Sequence, residues 1–544
     1  MTDKIVHDAE YYILYDQHGE KWELEDKELD TKLDELRQKS GGNPPNIVHI
    51  MWDDMGFGTA GIPALNKVRG FDTPNSNRMA AEGALYTRFY TEAACTPSRA
   101  AVITGRYAVR SGMYNVAFPI EAAGLAAEEV TMAEVLSEAG YATAFYGKWH
   151  LGDIEESYPH NQGFDETLFT PYNQVLSLWN KVGEGANAVQ GVMKDMLQDD
   201  PYLKDESFGP GDWIMSMEGK KGEEALEWKS SSIEDFDAID PECQRRIFDF
   251  VRRNADEKKP FYVAYWPNML GFIPHPMKNT VARSLEAEGF TSTVDPFIGQ
   301  VMDELNELGI AENTIVVAHA DNGPMVHEPP PGLGMAETVF RGGKSDYWEG
   351  GIRVAAFAWW PGMIEAGTIV GDMFHEVDLY TTFARLAGAT GNIPTDRIID
   401  GLDQTVLLLK GDTNGRRDYN FVYTGNILAA STKGRFKRVW VGDHPGLPGA
   451  AFYDLYNDPR EKFPALVPYL ANSSSFTTMR KRHELFKMKY PDRPTKRGAP
   501  FTGIANARPE TKRLSDPPVD LSKLPFDPME YIHHELPWDG LDAD

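Results

Sequence analysis

Cysteine and basic residues are both scarce in this sequence. Its 544 residues include only two cysteines, Cys95 and Cys243, which excludes a disulfide framework. The 54 Lys and Arg residues are outnumbered by 82 Asp and Glu residues, for a formal net charge of −28. Nucleic acids and anionic lipids both attract basic surfaces, so neither a nucleic acid nor a membrane is expected as the main partner. The simplest role of the acidic surface is solubility.

Long apolar runs are missing as well. No stretch is long enough to cross a bilayer. The first residues, Met1-Thr2-Asp3-Lys4, lack the basic-then-apolar pattern of a secretory signal. Unless a leader was removed earlier, these absences predict a cytoplasmic location. With 42% hydrophobic residues, the chain has enough apolar side chains for a sizeable core. Its length fits several domains, or one large α/β domain with a smaller partner.

Buried strands alternate with amphipathic helices through the middle of the chain. Short apolar runs bounded by turn residues predict strands at 46–52, 142–146, 261–266, 314–318 and 352–360. Apolar residues at helical spacing predict helices at 131–140, 241–251 and 294–305. Thr131 and Glu134 have the spacing of a capping box at the start of the first helix. The alternation predicts an α/β fold with a large, mostly parallel mixed sheet and helices on both faces.

The ends of the chain follow a different pattern. From about residue 415, short strand-like runs predict a small antiparallel sheet. The N-terminal region holds a short amphipathic stretch with Leu29, Leu33 and Leu36 on one face, suited to packing on the body or on another subunit. The predicted organisation is an N-terminal extension, a main domain, a small α+β subdomain and an extended tail, at 1–45, 46–414, 415–490 and 491–544. The two extensions are the basis for a possible homo-oligomer.

Polar clusters follow four of the predicted strands. They are Asp53-Asp54, 147–150, a loop containing His275, and Asp321-Asn322. In open α/β sheets, ligands bind beyond the carboxyl ends of the strands, so these segments are expected to converge.

The acidic clusters suit a hard cation. Asp53, Asp54, Asp321 and Asn322 offer only oxygen atoms, which Ca²⁺ and Mg²⁺ prefer, whereas zinc favours nitrogen or sulfur. Either pair alone is more often a helix cap or a turn. Both pairs together, each at a strand end, predict a metal site.

Cys95 lies just before a predicted helix N-terminus, which is a favourable place for an anionic group. Arg99 has the forked geometry to hold an oxyanion there. An isolated cysteine is more often a small buried hydrophobic residue. The residues alone therefore predict a site that combines a cysteine, cationic side chains and a metal ion. Such a site suits an anionic ester as substrate.

The segment Cys95-Thr96-Pro97-Ser98-Arg99, followed by Thr104-Gly105, resembles the signature of type I sulfatases, Cys-x-Pro-x-Arg and then Thr-Gly. Further segments similar to that family follow its order, at Asp53-Asp54, 147–152, 161–165, Pro274-His275, 321–324, Lys344 and 348–354. The resemblance covers roughly residues 46–460. It implies an alkaline-phosphatase-like fold, with 46–414 as the catalytic domain, and hydrolysis of a small-molecule sulfate ester.

The resemblance also implies the cofactors. A maturation enzyme would oxidise Cys95 to formylglycine, whose hydrate attacks sulfur and forms a covalent sulfate intermediate. Arg99 would orient that nucleophile. One divalent cation, expected to be Ca²⁺ with Mg²⁺ or Mn²⁺ as alternatives, would be held by the four metal residues and would polarise the sulfate.

The remaining catalytic roles come from the same resemblance. Lys148, Lys344 and His275 would bind sulfate oxygens, and His275 or Lys344 would protonate the leaving alcohol. His150 would remove a proton from the second hydroxyl of the hydrate. Each has a structural alternative, such as a surface lysine, a core histidine or a solvated turn around Lys344.

Two departures and two rival functions stand beside this hypothesis. Residues 318–320 read Ala-His-Ala where relatives often carry threonine and serine, and Pro276 directly follows His275. A phosphodiester or phosphonate monoester hydrolase of the same superfamily would use the same residues. A non-catalytic anion-binding protein is the other alternative, and it would have lost a central residue. The alcohol part of the substrate is open among sugars, steroids and small alkyl groups.

Overall fold

The structure is a computed structural model that describes residues 5–117, 123–172, 216–228, 238–268, 289–324, 339–441 and 451–497. The strands, in chain order, are β1 (Asn46–Trp52), β2 (Ala84–Tyr90), β3 (Ala123–Gly124), β4 (Ala142–Lys148), β5 (Glu166–Thr170), β6 (Met217–Lys220), β7 (Leu226–Glu227), β8 (Phe261–Trp266), β9 (Thr314–Ala320), β10 (Arg353–Trp359), β11 (Thr368–Val370), β12 (Phe374–His375), β13 (Tyr419–Thr424), β14 (Ile427–Lys433), β15 (Phe436–Val439), β16 (Phe452–Asp454) and β17 (Lys496–Arg497).

The α-helices are α1 (Ala9–Lys39), α2 (Pro63–Arg69), α3 (Pro74–Glu82), α4 (Cys95–Thr104), α5 (Ala108–Ser111), α6 (Met132–Glu138), α7 (Ile239–Glu257), α8 (Asp295–Glu307), α9 (Glu349–Ile352), α10 (Asp378–Ala387), α11 (Thr405–Lys410) and α12 (Leu466–Lys489). Short 3₁₀ turns lie at Glu155–Ser157, Pro159–Asn161, Ala311–Asn313 and Thr390–Asn392, and a π-helical turn at Phe290–Val294 leads into α8.

Within the described residues, eleven strands form one large sheet. Its order is β11-β2-β10-β9-β1-β8-β4-β5-β6-β7, with β12 also paired to β2. The central strands β9, β1, β8, β4 and β5 run parallel. Every residue of β1, β4, β8 and β9 is buried, so both faces of the sheet are covered. The predicted mixed α/β fold is confirmed.

Two features of the sheet differ from the sequence-based expectation. The strand predicted at 352–360 is β10, and it runs antiparallel to both of its neighbours, β9 and β2. The strand predicted at 142–146 continues to Lys148, so this lysine ends the strand rather than following it. Its side chain therefore starts from a fixed backbone position at the carboxyl edge of the sheet.

The predicted capping box starts α6. The Thr131 hydroxyl accepts a hydrogen bond from the Glu134 backbone N–H at 3.2 Å, and the Glu134 carboxylate accepts one from the Thr131 N–H at 2.7 Å. Both groups satisfy N–H donors that the first helical turn leaves unpaired. The two hydrogen bonds thereby fix the start of α6, which precedes β4 by one short loop.

The N-terminal helix is longer than the predicted amphipathic stretch. Helix α1 spans Ala9–Lys39, and its Leu29, Leu33 and Leu36 pack into the core of the large sheet. Its first half buries Leu14 and Trp22 in a second cluster, with aromatic side chains of the C-terminal sheet. One helix therefore packs on both parts of the molecule.

The C-terminal sheet has the order β13-β14-β15-β16 and is fully antiparallel, as predicted. Helix α12 packs beside it and buries Phe476, Met479 and His483. The sequence pattern did not predict this helix, because its other side chains are only partly buried or exposed. Among the described residues, no helix combines the length and apolar character needed to cross a membrane.

Candidate active site

The metal-ligand candidates lie at the carboxyl edge of two adjacent parallel strands. Asp53 follows β1 and Asp321 follows β9, and the Asp321 backbone N–H donates to the Trp52 carbonyl at 2.9 Å. Asp54 has a left-handed backbone, with φ of 53°. Its N–H donates to Asp321 Oδ1 at 3.1 Å. A strained conformation held by a neighbouring carboxylate is typical of a functional site.

These residues form a compact cluster of buried acidic groups. Ligand atoms of Asp53, Asp54, Cys95 and Asp321 all lie within 4.8 Å of one another. Asn322 Nδ2 donates to Asp54 Oδ1 at 2.7 Å. Asn322 Oδ1 is buried without a hydrogen-bond partner in the described part of the chain. Three carboxylates and an unpaired amide oxygen fit a hard cation such as Ca²⁺.

Two buried cations neutralise part of this acidic cluster. Arg99 Nη2 donates to Asp53 Oδ1 at 2.6 Å and to Asp321 Oδ2 at 3.0 Å, while its Nη1 donates to the Lys148 carbonyl at 2.7 Å. Lys148 Nζ donates to Asp53 Oδ2 at 2.5 Å. Both side chains are fully buried. Arg99 thus ties helix α4 to three strand ends.

The two strand-end carboxyls have opposite pKa shifts. Burial raises the pKa of a carboxyl, but at Asp53 the charges of Lys148 and Arg99 outweigh it and hold the pKa well below its usual value. At Asp321, burial and the charge of Asp53 raise the pKa to about 8. Asp321 therefore favours its protonated form unless a further cation, such as a bound metal ion, lies nearby.

Cys95 is the first residue of α4 and is fully buried. Its Sγ lies 3.5 Å from Asp54 Oδ1. Burial and the carboxylates of Asp321, Asp53 and Asp54 raise the pKa of the thiol well above its usual value. An unmodified Cys95 would thus stay protonated, which makes it a poor nucleophile.

Lys344 joins Cys95 to the acidic cluster. Its Nζ donates to Asp54 Oδ1 and Oδ2 at 2.8 Å each, and to Cys95 Sγ at 2.8 Å. Burial lowers the pKa of a lysine, but the charges of Asp54, Asp53 and Asp321 outweigh it and raise the pKa of Lys344 well above its usual value. The side chain is therefore a fixed positive charge, not part of a solvated turn.

His150 lies at the edge of the cluster, with a left-handed backbone at φ 59°. Its Nε2 lies 2.9 Å from the Ala117 carbonyl, so Nε2 carries the proton. Nδ1 is buried without a hydrogen-bond partner among the described residues. Burial, with the charges of Lys148 and Arg99, lowers the pKa well below its usual value. The neutral ring thus has Nδ1 available as a proton acceptor.

Nine of the ten predicted site residues belong to this cluster or border it. They are Asp53, Asp54, Cys95, Arg99, Lys148, His150, Asp321, Asn322 and Lys344. His275 lies outside the described residues. His319 pairs with His49 at 2.9 Å beneath the cluster, and Trp149 stacks on Trp266 in the core, so these side chains are structural.

Sequence reasoning missed several supporting residues. Ser98 lies inside the motif that begins at Cys95. Its Oγ donates to the Asp321 carbonyl at 2.5 Å, which links α4 to the segment that carries Asp321 and Asn322. Lys437 Nζ of β15 lies 3.1 Å from Glu349 Oε1 and 2.9 Å from Glu461 Oε1, and all three are fully buried. Glu349 lies in a matched segment, but no local pattern pointed to Lys437 or Glu461.

Two glycines allow the strand ends to approach each other. A Cβ on Gly147 would lie 1.8 Å from the Trp266 carbonyl oxygen, and one on Gly323 would lie 1.8 Å from the Gly350 carbonyl oxygen. No other residue fits at such distances. Glycine at these two positions therefore allows segments that are far apart in the chain to meet at one edge of the sheet.

Comparison with known proteins gives a consistent result. The Sulfatase family model matches residues 45–206 and 287–389. The chain is 33% identical to the N-acetylgalactosamine-6-sulfatase of Mus musculus over 412 residues, which are 73% of this chain and 72% of that protein. It is 32% identical to the arylsulfatase A of Homo sapiens over 432 residues, 76% of this chain and 78% of that protein.

A solved structure supports the same assignment. The PsFucS1 sulfatase from Pseudoalteromonas sp. superposes with a TM-score of 0.76 at 28% identity, covering 87% of this chain and 96% of that chain. These similarities agree with the buried acidic cluster and the cysteine motif at one edge of the sheet. The chain belongs to the sulfatase family: it is a type I sulfatase of the alkaline phosphatase superfamily, and it hydrolyses sulfate esters.

Proposed function

We propose that the chain hydrolyses a sulfate monoester through formylglycine made from Cys95, beside a divalent cation. The observation that carries the proposal is the grouping of Cys95 with Asp53, Asp54 and Asp321, whose ligand atoms lie within 4.8 Å of one another. Lys344 bridges the cysteine and Asp54. A nucleophile position, a metal site and a fixed cation therefore meet at one point.

Each cofactor supplies one kind of chemistry. Formylglycine in hydrated form supplies a hydroxyl that can attack sulfur. The cation, which we expect to be Ca²⁺ on a ligand set of oxygen atoms, supplies Lewis acidity toward a sulfate oxygen. Asp53, Asp54, Asp321 and Asn322 would hold it.

Two lysines bind the sulfate, and Arg99 orients the nucleophile. Lys344 already lies 2.8 Å from Cys95 Sγ, so its ammonium can bind a sulfate oxygen next to the nucleophile. Arg99 is fixed between Asp53 and Asp321 and keeps position 95 aligned with the metal ligands. Lys148 adds a second buried ammonium. Preorganised positive charge of this kind stabilises negative charge that develops during sulfuryl transfer.

His150 is the proposed general base. The Ala117 carbonyl fixes the proton on Nε2, and the lowered pKa keeps Nδ1 free to accept a proton. The Ala117 N–H donates to Thr96 Oγ1 at 3.0 Å, which links the base to the helix that carries position 95. His275 remains a prediction for sulfate binding and protonation of the leaving alcohol.

Several finer points belong to the same proposal. The main domain at 46–414 would carry the catalysis, with 1–45, 415–490 and 491–544 as extension, subdomain and tail. A maturation enzyme that oxidises Cys95, a homo-oligomer and a cytoplasmic location are predictions from the sequence. The two curated relatives carry the names of a sugar sulfatase and an arylsulfatase, so their names do not agree on the alcohol.

The test combines mass spectrometry with turnover. The peptide containing position 95 should have a mass in which an aldehyde replaces the thiol, and this preparation should hydrolyse sulfate esters. Cys95→Ala should abolish turnover, while Cys243→Ala, the other buried cysteine, should retain it. Unchanged turnover in Cys95→Ala would contradict the mechanism. A phosphate diester turned over far faster than any sulfate ester would favour the rival hydrolase of the same superfamily.

A further inference from the structure

The backbone on both sides of His150 is fixed by hydrogen bonds. The N–H of Trp149, which precedes it, donates to the Thr170 carbonyl at 2.9 Å, and the carbonyl of Leu151, which follows it, accepts from the Leu125 N–H at 2.9 Å. These bonds set the point from which the imidazole ring extends. They do not set how the ring is turned, because the χ2 torsion of histidine has broad minima.

The carbonyl of Ala117 sets the orientation of the ring and the position of its proton. Its oxygen lies 2.9 Å from His150 Nε2. A carbonyl oxygen can only accept a hydrogen bond, so in the neutral ring Nε2 carries the proton and Nδ1 does not. Nδ1 is buried without a hydrogen-bond partner among the described residues. The availability of Nδ1 as a proton acceptor thus depends on where the Ala117 carbonyl lies.

Ala117 in turn is held by one side chain of α4. Within the described residues, the backbone of the loop at 113–117 makes only two hydrogen bonds, and both are at Ala117. One is the bond to His150, and the other runs from the Ala117 N–H to Thr96 Oγ1 at 3.0 Å. Thr96 is fully buried and follows Cys95 in the first turn of α4. The helix that carries position 95 therefore anchors the loop.

The other two hydroxyl side chains of α4 do not contact this loop. Thr104 Oγ1 donates to a carbonyl one turn back in the same helix at 2.7 Å. Ser98 Oγ donates to the Asp321 carbonyl at 2.5 Å. Thr96 is thus the hydroxyl of α4 that reaches Ala117.

On the basis of the sulfatase function proposed above, we propose that Thr96 is a positioning residue for the release of sulfate. Its hydroxyl fixes Ala117, the Ala117 carbonyl keeps the proton of His150 on Nε2, and Nδ1 stays free to take a proton from the second hydroxyl at position 95. The electrons of that O–H bond form the aldehyde C=O bond, and the bond from carbon to the sulfate oxygen breaks. Sulfate then leaves, and His150 passes the proton to water.

The first test separates sulfate release from the attack on sulfur. Thr96→Val removes the hydroxyl with little change in shape, and Thr96→Ser keeps it. Because position 96 adjoins Cys95, the formylglycine content of each preparation is measured by mass, and kcat is expressed per modified chain. Thr96→Val should lower kcat roughly tenfold, the effect of one lost hydrogen bond. Its kcat/KM should stay within about twofold of the wild type, since the attack precedes the step that needs His150. Thr96→Ser should retain both values.

Two comparisons show whether Thr96 acts through His150. The matched control is Thr104→Val, the same substitution at a buried threonine of the same helix, and it should leave kcat unchanged. In a His150→Gln background, Thr96→Val should cause no further loss of kcat. An unchanged kcat in Thr96→Val, equal losses of kcat and kcat/KM, or a further loss in the His150→Gln background would each overturn the proposal. An inactive wild type with verified formylglycine would contradict the proposed function instead.

A second measurement does not depend on turnover. In unmodified protein labelled with ¹⁵N-histidine, the ring signals that are missing in His150→Gln belong to His150. The ¹⁵N shifts of these signals show which ring nitrogen carries the proton. The wild type and Thr104→Val should show the proton on Nε2 alone, whereas Thr96→Val should show a mixture of the two tautomers. A ring protonated only on Nε2 in Thr96→Val would refute the role of Thr96, whatever the activity of the enzyme.

Discussion

Asp321 and Asp53 show how single residues prepare this site for a cation. Arg99 and Lys148 neutralise Asp53, whereas Asp321 accepts only one bond from Arg99 and has its pKa raised to about 8. A carboxyl with a raised pKa in the folded state destabilises the fold once it ionises. In the metal-free protein this loss grows as the pH rises from the usual pKa of 3.8 to about 8.

The variant Asp321→Asn tests this balance. Without metal at pH 8, its Tm should exceed that of the wild type by a few degrees, and the difference should vanish near pH 4. Added Ca²⁺ should raise the Tm of the wild type but not that of the variant. Thermal unfolding with chelator or with Ca²⁺ measures both effects. The control Asp303→Asn, at a carboxylate that is 60% exposed, should show neither, and a Ca²⁺ response retained in Asp321→Asn would rule out this ligand role.

His150 gives a prediction for the pH dependence of turnover. Its lowered pKa keeps the ring neutral well below pH 6.5, so the base form is present throughout the neutral range. Protonation of His150 should therefore not reduce kcat between pH 8 and 6.5. His150→Gln should lower kcat by roughly 10²- to 10⁴-fold, the usual contribution of a general base. A wild-type profile that falls below pH 7, with this limb absent in His150→Gln, would argue against a neutral histidine.

The site residues that lie in sequence motifs were the most predictable part of the site. Asp53, Asp54, Asp321 and Asn322 could be grouped because each pair directly follows a recognisable strand. Lys437 could not, because it lies on a strand of the C-terminal sheet and reaches the site only through Glu349. Contacts between elements far apart in the chain leave no local pattern.

At the scale of elements, the helix α9 connects the C-terminal sheet to the segment that carries Asp321 and Asn322. Glu349 begins α9 and accepts from Lys437 Nζ at 3.1 Å, and its N–H donates to Glu461 Oε2 at 2.7 Å. The Gly351 carbonyl accepts from the N–H of Gly323, which follows Asn322, at 2.9 Å. A buried lysine on β15 thus supports the position of the segment that carries Asn322, a proposed metal ligand.

Lys437→Met should leave the buried Glu461 without the cation it pairs with, and should leave Glu349 with only Arg353, at 3.5 Å. Removing one partner from a buried ion pair costs about 3–5 kcal/mol in the free energy of unfolding, and the apparent affinity for Ca²⁺ should fall. The control Lys410→Met, on α11, removes a lysine that is 37% exposed and pairs with Glu28, which is 70% exposed, and it should cost about 0–1 kcal/mol. Urea unfolding and Ca²⁺ titration measure the two effects. Equal losses in both variants would mean that α9 does not depend on Lys437.

The strands that were predicted and those that were missed differ in composition. Strands β1, β8 and β9 are continuous apolar runs, because both of their faces are buried. Strand β2 contains Thr87 and Arg88, so its pattern is not that of a core strand, although it lies within the same sheet. The antiparallel direction of β10 depends on its pairing with β2 and could not be predicted from its own residues.

At the scale of the whole molecule, helix α1 joins the two sheets into one packed body. Its Leu33 lies in the core of the large sheet and its Trp22 in the cluster beneath the C-terminal sheet. The sequence predicted an N-terminal extension that packs on the body or on another subunit, because a short apolar stripe does not show what it packs against. The packing of the C-terminal sheet against the large sheet therefore depends partly on this helix.

The contribution of α1 can be measured with two leucines on its opposite faces. Leu33 is 2% exposed and Leu24 is 62% exposed. Leu33→Ala should lower the free energy of unfolding by about 2–5 kcal/mol, whereas Leu24→Ala should change it by less than about 0.5 kcal/mol. Urea denaturation followed by circular dichroism gives both values. Similar small effects would indicate that α1 is only loosely attached.

The complete burial of Cys95 also constrains the order of events in biosynthesis. Its side chain is enclosed by Asp54, Lys344 and the first turn of α4, and the surrounding strand ends come from segments as late in the chain as Asp321. An enzyme that oxidises this thiol needs the segment in an extended, accessible form. The oxidation proposed above would therefore have to occur on the nascent or unfolded polypeptide, before the later strands enclose the thiol, and a chain that folded first would not be oxidised.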